Sequence, residues 1–234
     1  MSKNKKKILV IAAHPDDETI GCGGALAKYL KEKFQVKVIF LGEGSTCRFE
    51  PHDSENKKIN AINQRENYCK KALKVLGIKN FEFYNLPCGR FDQIPIIDIA
   101  KIVEKELNIF NPSIIFTHSD KDVHSDHRVT FQACLQATRP SINNNVDLFL
   151  SFEIISSSER NFVNTFSPNY FIEFDQKALN KKLKAMRCYR SEFSKYPHPR
   201  SIKSLKNLAM YRGVQAGCHY AEAFKLVRFI HKKK

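Results

Sequence analysis

Residues 8–24 read ILVIAAHPDDETIGCGG. The unbroken apolar run at 8–13 is the pattern of a strand covered on both faces. A strand that runs into a glycine-rich turn and then a helix commonly prepares a phosphate site, because backbone N–H groups and the positive helix end face the ligand. Here Asp16, Asp17 and Glu18 stand where a phosphate would approach. In a poorly solvated cleft they would repel it by on the order of several kcal/mol. Leu26 occupies the third glycine position of G-x-G-x-x-G, and no G-x-x-x-x-G-K-[ST] occurs. A turn that pairs His14 with carboxylates is instead suited to a divalent cation.

Outward from this stretch, short β-branched runs (KILVIAA, QVKVIFL, NFEFYNL, SIIFTH) alternate with helical patterns over 19–33, 56–77 and 95–110. Alternation of this kind predicts an α/β, Rossmann-like three-layer fold with a mostly parallel central sheet. In the second helix Ile59, Ile62, Cys69, Ala72, Leu73 and Leu76 share a stripe, and Gly77 is placed to end it. Later, VDLFLSFEII and NYFIEF read as further strands, 176–189 as a helix, and 195–213 as mixed loop and helix. No repeat or composition break divides the chain, so a single domain over 1–234 is expected, with short basic tails at 1–7 and 231–234.

The formal charge is +15, of which Lys3, Lys5, Lys6, Lys7 and Lys232, Lys233, Lys234 supply seven charges at the ends. The other lysines spread along helices as solvated faces, and no nucleic-acid-binding signature is present, so a specific nucleic-acid partner is disfavoured. An anionic small molecule or a membrane surface suits the charge at least as well. No apolar stretch approaches the roughly 20 residues of a transmembrane segment. Seven scattered cysteines without a C-x-x-C pair argue against a disulfide framework and a cysteine zinc site. Most should be small buried hydrophobes in a reducing, cytoplasmic setting, with peripheral membrane association left open.

His14 and Asp17 are three apart, within reach of one ion in a tight turn. A third ligand is expected from another strand end, and SIIFTHSDKDVHSDHR supplies His118, Asp120, His124 and His127. His124 and His127 share one side if a helix starts there, and Asp126 could orient an imidazole. Spacing leaves open which of these histidines binds. Taken alone, H-P-D-D reads as a helix cap; two such clusters at one sheet edge are hard to assign to capping.

With AHPDDE after the first strand and Asp122, His124, Asp126 and His127 as D-x-H-x-D-H after a later one, the chain resembles the LmbE/PIG-L family of zinc-dependent N-deacetylases. Arg65-Glu66 and the C-terminal RGVQAGCHYAEAF extend the likeness. The resemblance implies one Zn2+, another divalent metal being open, bound by His14, Asp17 and His127. It also implies Asp16 as general base, His124 as oxyanion stabiliser or acid to the leaving amine, and Asp126 setting the charge of His124. Arg65 would contact substrate, or pair with Glu66 or Asp92 as a helix arginine ordinarily does. Arg48, His52, His198, Arg200, His219 and Tyr220 are read as loop or core residues. The implied reaction removes an N-acetyl group from an amino sugar or its glycoside or nucleotide conjugate, anionic or neutral. An inactive metal- or sugar-binding relative is the alternative, and a basic nucleic-acid-associated protein a more distant one. A homo-oligomer is left open.

Overall fold

A computed structural model describes residues 6–141 and 145–231. Lys3, Lys5 and Lys232–Lys234 of the expected tails lie outside the described residues. Lys7 is not a tail residue but opens the first strand, where its ammonium donates to the carbonyl of Phe110 at 3.0 Å.

In chain order the elements are β1 (Lys7–Ala12), α1 (Asp17–Lys31), β2 (Gln35–Gly42), α2 (Glu55–Leu76), β3 (Asn80–Leu86), α3 (Ile96–Phe110), β4 (Ile114–His118), α4 (Ser125–Ala137), β5 (Leu148–Phe152), β6 (Tyr170–Glu173), α5 (Gln176–Met186), α6 (Ile202–Ala216) and β7 (Ala221–Phe229). The strands form one sheet in the order β3-β2-β1-β4-β5-β7-β6. β1 to β5 pair parallel; β7 runs antiparallel to both β5 and β6. The fold is therefore the expected α/β three-layer architecture, mostly parallel.

Alternation along β1 explains its continuous apolarity. Ile8, Val10 and Ala12 enter the core under α1, α2, α5 and α6, while Leu9, Ile11 and Ala13 enter the one under α3 and α4. The glycines of α1 serve close packing. A Cβ on Gly21 would lie 2.4 Å from the Phe152 ring, and one on Gly24 2.6 Å from Phe174. Glu222 of β7 accepts the N–H groups of Gly24 and Ala25 at 2.8 and 2.7 Å, and Lys182 of α5 neutralises it at 2.6 Å.

Two details differ from the sequence reading. β7 has no strand signature in the sequence, because it is buried along only half its length. The stripe of α2 buries only from Arg65 onward; Ile59, in the second turn of this 22-residue helix, is 50% exposed. Gly77 does end α2, in the left-handed region at φ 94°. Among the described residues no helix is long and apolar enough to cross a membrane.

The chain order reverses between β1 and β4, and side chains at their carboxyl ends converge in the crevice that results.

Candidate metal centre

His14, Asp16 and Asp17 leave the end of β1; His118 ends β4; His124 and His127 open α4. His14, Asp17 and His127 are all buried and form a group whose ligand atoms converge. Asp17 Oδ2 lies 3.6 Å from His14 Nδ1 and 3.5 Å from His127 Nε2. Atoms about 2.1 Å from a tetrahedral ion stand about 3.4 Å apart, so these separations fit one.

The hydrogen-bond network sets the tautomers. His14 Nε2 donates to Asp126 Oδ2 at 2.9 Å, and His127 Nδ1 donates to Asp122 Oδ2 at 2.9 Å. Each ring therefore turns an unprotonated nitrogen toward the Asp17 carboxylate. Lone pairs facing a carboxylate in a buried site suit a cation between them. Asp17 Oδ2 is the oxygen that both rings face. The His14 backbone N–H donates to the same oxygen at 2.8 Å.

The structure gives Asp126 a task that the sequence reading does not name. Its two oxygens take His14 Nε2, the Gly89 N–H at 2.6 Å and the Phe91 N–H at 3.1 Å. It orients His14, not His124, because the α4 start aims successive side chains in different directions and Asp126 faces the turn before α3. His124 instead caps α4, its Nδ1 accepting from the Asp126 N–H at 3.2 Å. That bond leaves the proton on Nε2. Burial, with His127 and His14 alongside, pushes the His124 imidazole down to about 4, so it is neutral at pH 7. His118 Nε2 accepts the Ala13 N–H at 2.8 Å, and the ring stacks on His127 with centroids 3.9 Å apart. It braces the site and has no lone pair left for an ion. Asp120 lies beyond this group, paired with Lys121.

Asp16 sits at the N-terminus of α1 with φ 126°, a strained value for a residue with a side chain. It does not cap the helix, and neither carboxylate oxygen has a hydrogen-bond partner although the side chain is buried. Its backbone N–H donates to Glu18 Oε2 at 3.1 Å, and Tyr189 OH donates to Glu18 Oε1 at 2.8 Å. Burial pushes the Asp16 carboxyl up to about 6, against the pull of Arg200 and Arg65.

Arg65 is another correction. It is 3% exposed, and its guanidinium pairs with Asp16 Oδ1 at 3.2 Å, with Glu192, and with the Pro15 carbonyl at 2.8 Å. It pairs with neither Glu66 nor Asp92, and its guanidinium packs against Asp16 and the turn before α1. Arg48 grips Glu192 through both Nη atoms at 2.7 and 2.6 Å, and Arg200 bridges Glu192 and Asp16. The sequence reading places Arg48 and Arg200 outside the site and offers no signal for Glu192. They lie in segments without periodicity, and no local pattern signals ion pairs between them.

A diacetylchitobiose deacetylase of Thermococcus kodakarensis is 27% identical over 97% of this chain and 85% of its own length. A probable N-acetyl-alpha-D-glucosaminyl L-malate deacetylase 2 of Bacillus anthracis is 23% identical over 82% of this chain and 84% of its own. Among solved structures, the 4-carboxy-2-hydroxymuconate hydratase GalB of Pseudomonas putida superposes with a TM-score of 0.76 at 20% identity, covering 98% of this chain and 99% of its own, a likeness of fold alone. The model of the PIG-L family, described as GlcNAc-PI de-N-acetylase, matches residues 9–138, a span that holds most of β1, all of α4 and every histidine and aspartate of the metal centre: the chain belongs to that family.

Proposed function

We propose that this chain is a zinc-dependent N-deacetylase that hydrolyses the acetamide of an N-acetylated amino sugar or its conjugate. The observation that carries the reading is Asp16: a buried carboxylate on a strained backbone, ion-paired but with neither oxygen accepting a hydrogen bond, next in sequence to Asp17 of the metal group. Because a hydratase shares the fold, the reaction is argued from this site and from the deacetylase relatives, not from architecture.

His14 Nδ1, Asp17 Oδ2 and His127 Nε2 would hold the zinc. Bound there, zinc supplies Lewis acidity to the amide carbonyl and to water, with a coordination position left open by three protein ligands. Asp16 takes the proton of the attacking water; its carboxyl, pushed up to about 6, is basic enough to accept it and acidic enough to return it to the departing nitrogen. Neutral His124 donates its Nε2–H to the oxygen that becomes negative as the carbonyl is attacked. This assigns it the oxyanion role and leaves protonation of the amine to Asp16. Acetate and a free amine result. Arg65 and Arg200 hold the Asp16 carboxylate without a hydrogen bond that would quench it.

Arg48, Arg65 and Arg200 are engaged by Glu192, so the cluster beside Asp16 does not by itself select an anionic sugar. Comparing specificity constants for charged and neutral N-acetyl sugars tests that choice. Seven thiols and no disulfide among them support a reducing, cytoplasmic location.

Elemental analysis combined with amine-release assays tests the reading. Asp16→Asn should keep about one zinc per chain and lose on the order of 10²–10⁴-fold in turnover. His127→Ala should lose zinc. An Asp16→Asn enzyme within about threefold of wild type would overturn the base assignment.

A further inference from the structure

The centre is flanked by two thiols that the proposed chemistry does not use. Cys47 stands in the short helical turn Thr46–Arg48 after β2, and Cys88 in the turn after β3, 41 residues away. Their sulfurs are 3.0 Å apart. Cys47 is exposed and Cys88 is buried. Behind Cys88, the sulfur lies 3.6 Å from His14 Nε2.

The two turns are built to meet. Glu43 accepts the N–H groups of Ser45 at 2.6 Å and Thr46 at 3.0 Å on one side, and of Cys88 at 2.8 Å on the other. Gly89, at φ 75°, closes the second turn against the first; a Cβ there would sit 3.1 Å from that of Cys47. The next backbone N–H groups, of Gly89 and Phe91, hold Asp126, which orients His14.

We propose that Cys47 and Cys88 are a redox-modification site, at which a low-molecular-weight disulfide reversibly links them and so disturbs the Asp126–His14 arm of the metal centre. The Cys47 thiolate attacks one sulfur of the external disulfide; that S–S bond breaks, and the released thiolate takes up a proton. Cys88 then loses its proton and displaces the second thiol from Cys47. Two protein thiols are oxidised, and the external disulfide leaves as two thiols. Cys47 is the exposed sulfur of the pair and Cys88 the buried one, so the external disulfide meets Cys47 first. Bond formation must draw the sulfurs from 3.0 Å to about 2.0 Å. That shift of about 1 Å acts on the turn whose N–H groups hold Asp126.

The disulfide stands on geometry alone; its effect on turnover rests on the deacetylase reading. The test incubates the zinc-loaded protein with oxidised glutathione, then maps peptides, bound zinc and amine release. The expected result is a peptide joining Cys47 to Cys88 and zinc released more readily. Turnover should fall about tenfold or more and return with dithiothreitol. Cys47→Ser should keep the activity of the reduced enzyme throughout and form no link. Glutathione remaining on Cys47, reaction confined to Cys188 or Cys218, or a linked protein that holds zinc and turns over as before would each overturn the proposal. If the reduced protein has no deacetylase activity, that reading fails separately, and the peptide map with zinc release still decides this one.

Discussion

Replacing Asp126 by asparagine separates two roles that sequence adjacency confuses. Three donors converge on its carboxylate: His14 Nε2 and the Gly89 N–H on Oδ2, and the Phe91 N–H on Oδ1. Asparagine has one acceptor oxygen and one amino group in the same volume. If its oxygen takes the Oδ2 place, the amino group faces the Phe91 N–H; if it flips, it faces both His14 and Gly89. Either way a buried N–H meets a donor, and one unsatisfied buried group costs about 1–3 kcal/mol. The negative charge that makes His14 a better ligand is lost as well. Removal of such a partner typically weakens metal binding about 10–100-fold, equivalent to about 1.4–2.7 kcal/mol.

The assay is a zinc titration against a chelator of known affinity, with turnover measured at saturating zinc. Asp126→Asn should raise the zinc Kd about 10–100-fold, and much of the turnover should return when zinc is in excess. An unchanged Kd with a fall in turnover that zinc cannot rescue would refute the reasoning. It would mean that Asp126 acts on His124 after all.

Other perturbations read the scaffold. Lys182→Met leaves the Glu222 carboxylate buried without its cation and should cost about 3–5 kcal/mol by denaturant unfolding; Lys182→Met with Glu222→Gln should cost less, and equal losses would show that the pair is not coupled. Burial opposes ionisation of Glu192, but Arg48, Arg65 and Arg200 outweigh it and bring its carboxyl to about 2, below its usual 4.5. Its folded value is depressed, so its contribution is present above 4.5 and disappears as pH falls toward 2. The drop is about 3 kcal/mol, and wild type and Glu192→Gln should converge in stability over that window. Parallel pH curves for the two proteins would remove Glu192 as the source. Gly21→Ala places a methyl 2.4 Å from the Phe152 ring and should destabilise by about 1–3 kcal/mol, whereas a stabilised variant would show that α1 has room to move.

How far the sequence discloses the molecule depends on the range of the interactions involved. β1 is legible because burial on both faces turns a whole strand apolar, and Gly77 because an αL helix end favours glycine. His14 and Asp17 stand three apart in one turn, but the choice of His127 over His124 comes from the family resemblance, and His127 reaches them only because β4 lies beside β1. β7 is hidden: Ala223 and Phe224 are buried, but Lys225 follows at once and the strand runs on half-covered, so neither alternation nor a continuous run develops. Glu192 is hidden for a different reason. It follows Arg48 by 144 residues, and nothing near either residue encodes the other. The same applies to Cys47 and Cys88, whose separation suggests two independent thiols. Asp126 shows the limit most sharply. Its neighbours in the chain are Ser125 and His127, so the motif suggests a histidine of α4 as its partner, while the fold delivers His14 from β1. A motif records which groups meet at the centre; the division of labour among them depends on side-chain direction at the ends of two strands and one helix. The Asp126→Asn titration therefore probes an assignment that the motif leaves undetermined.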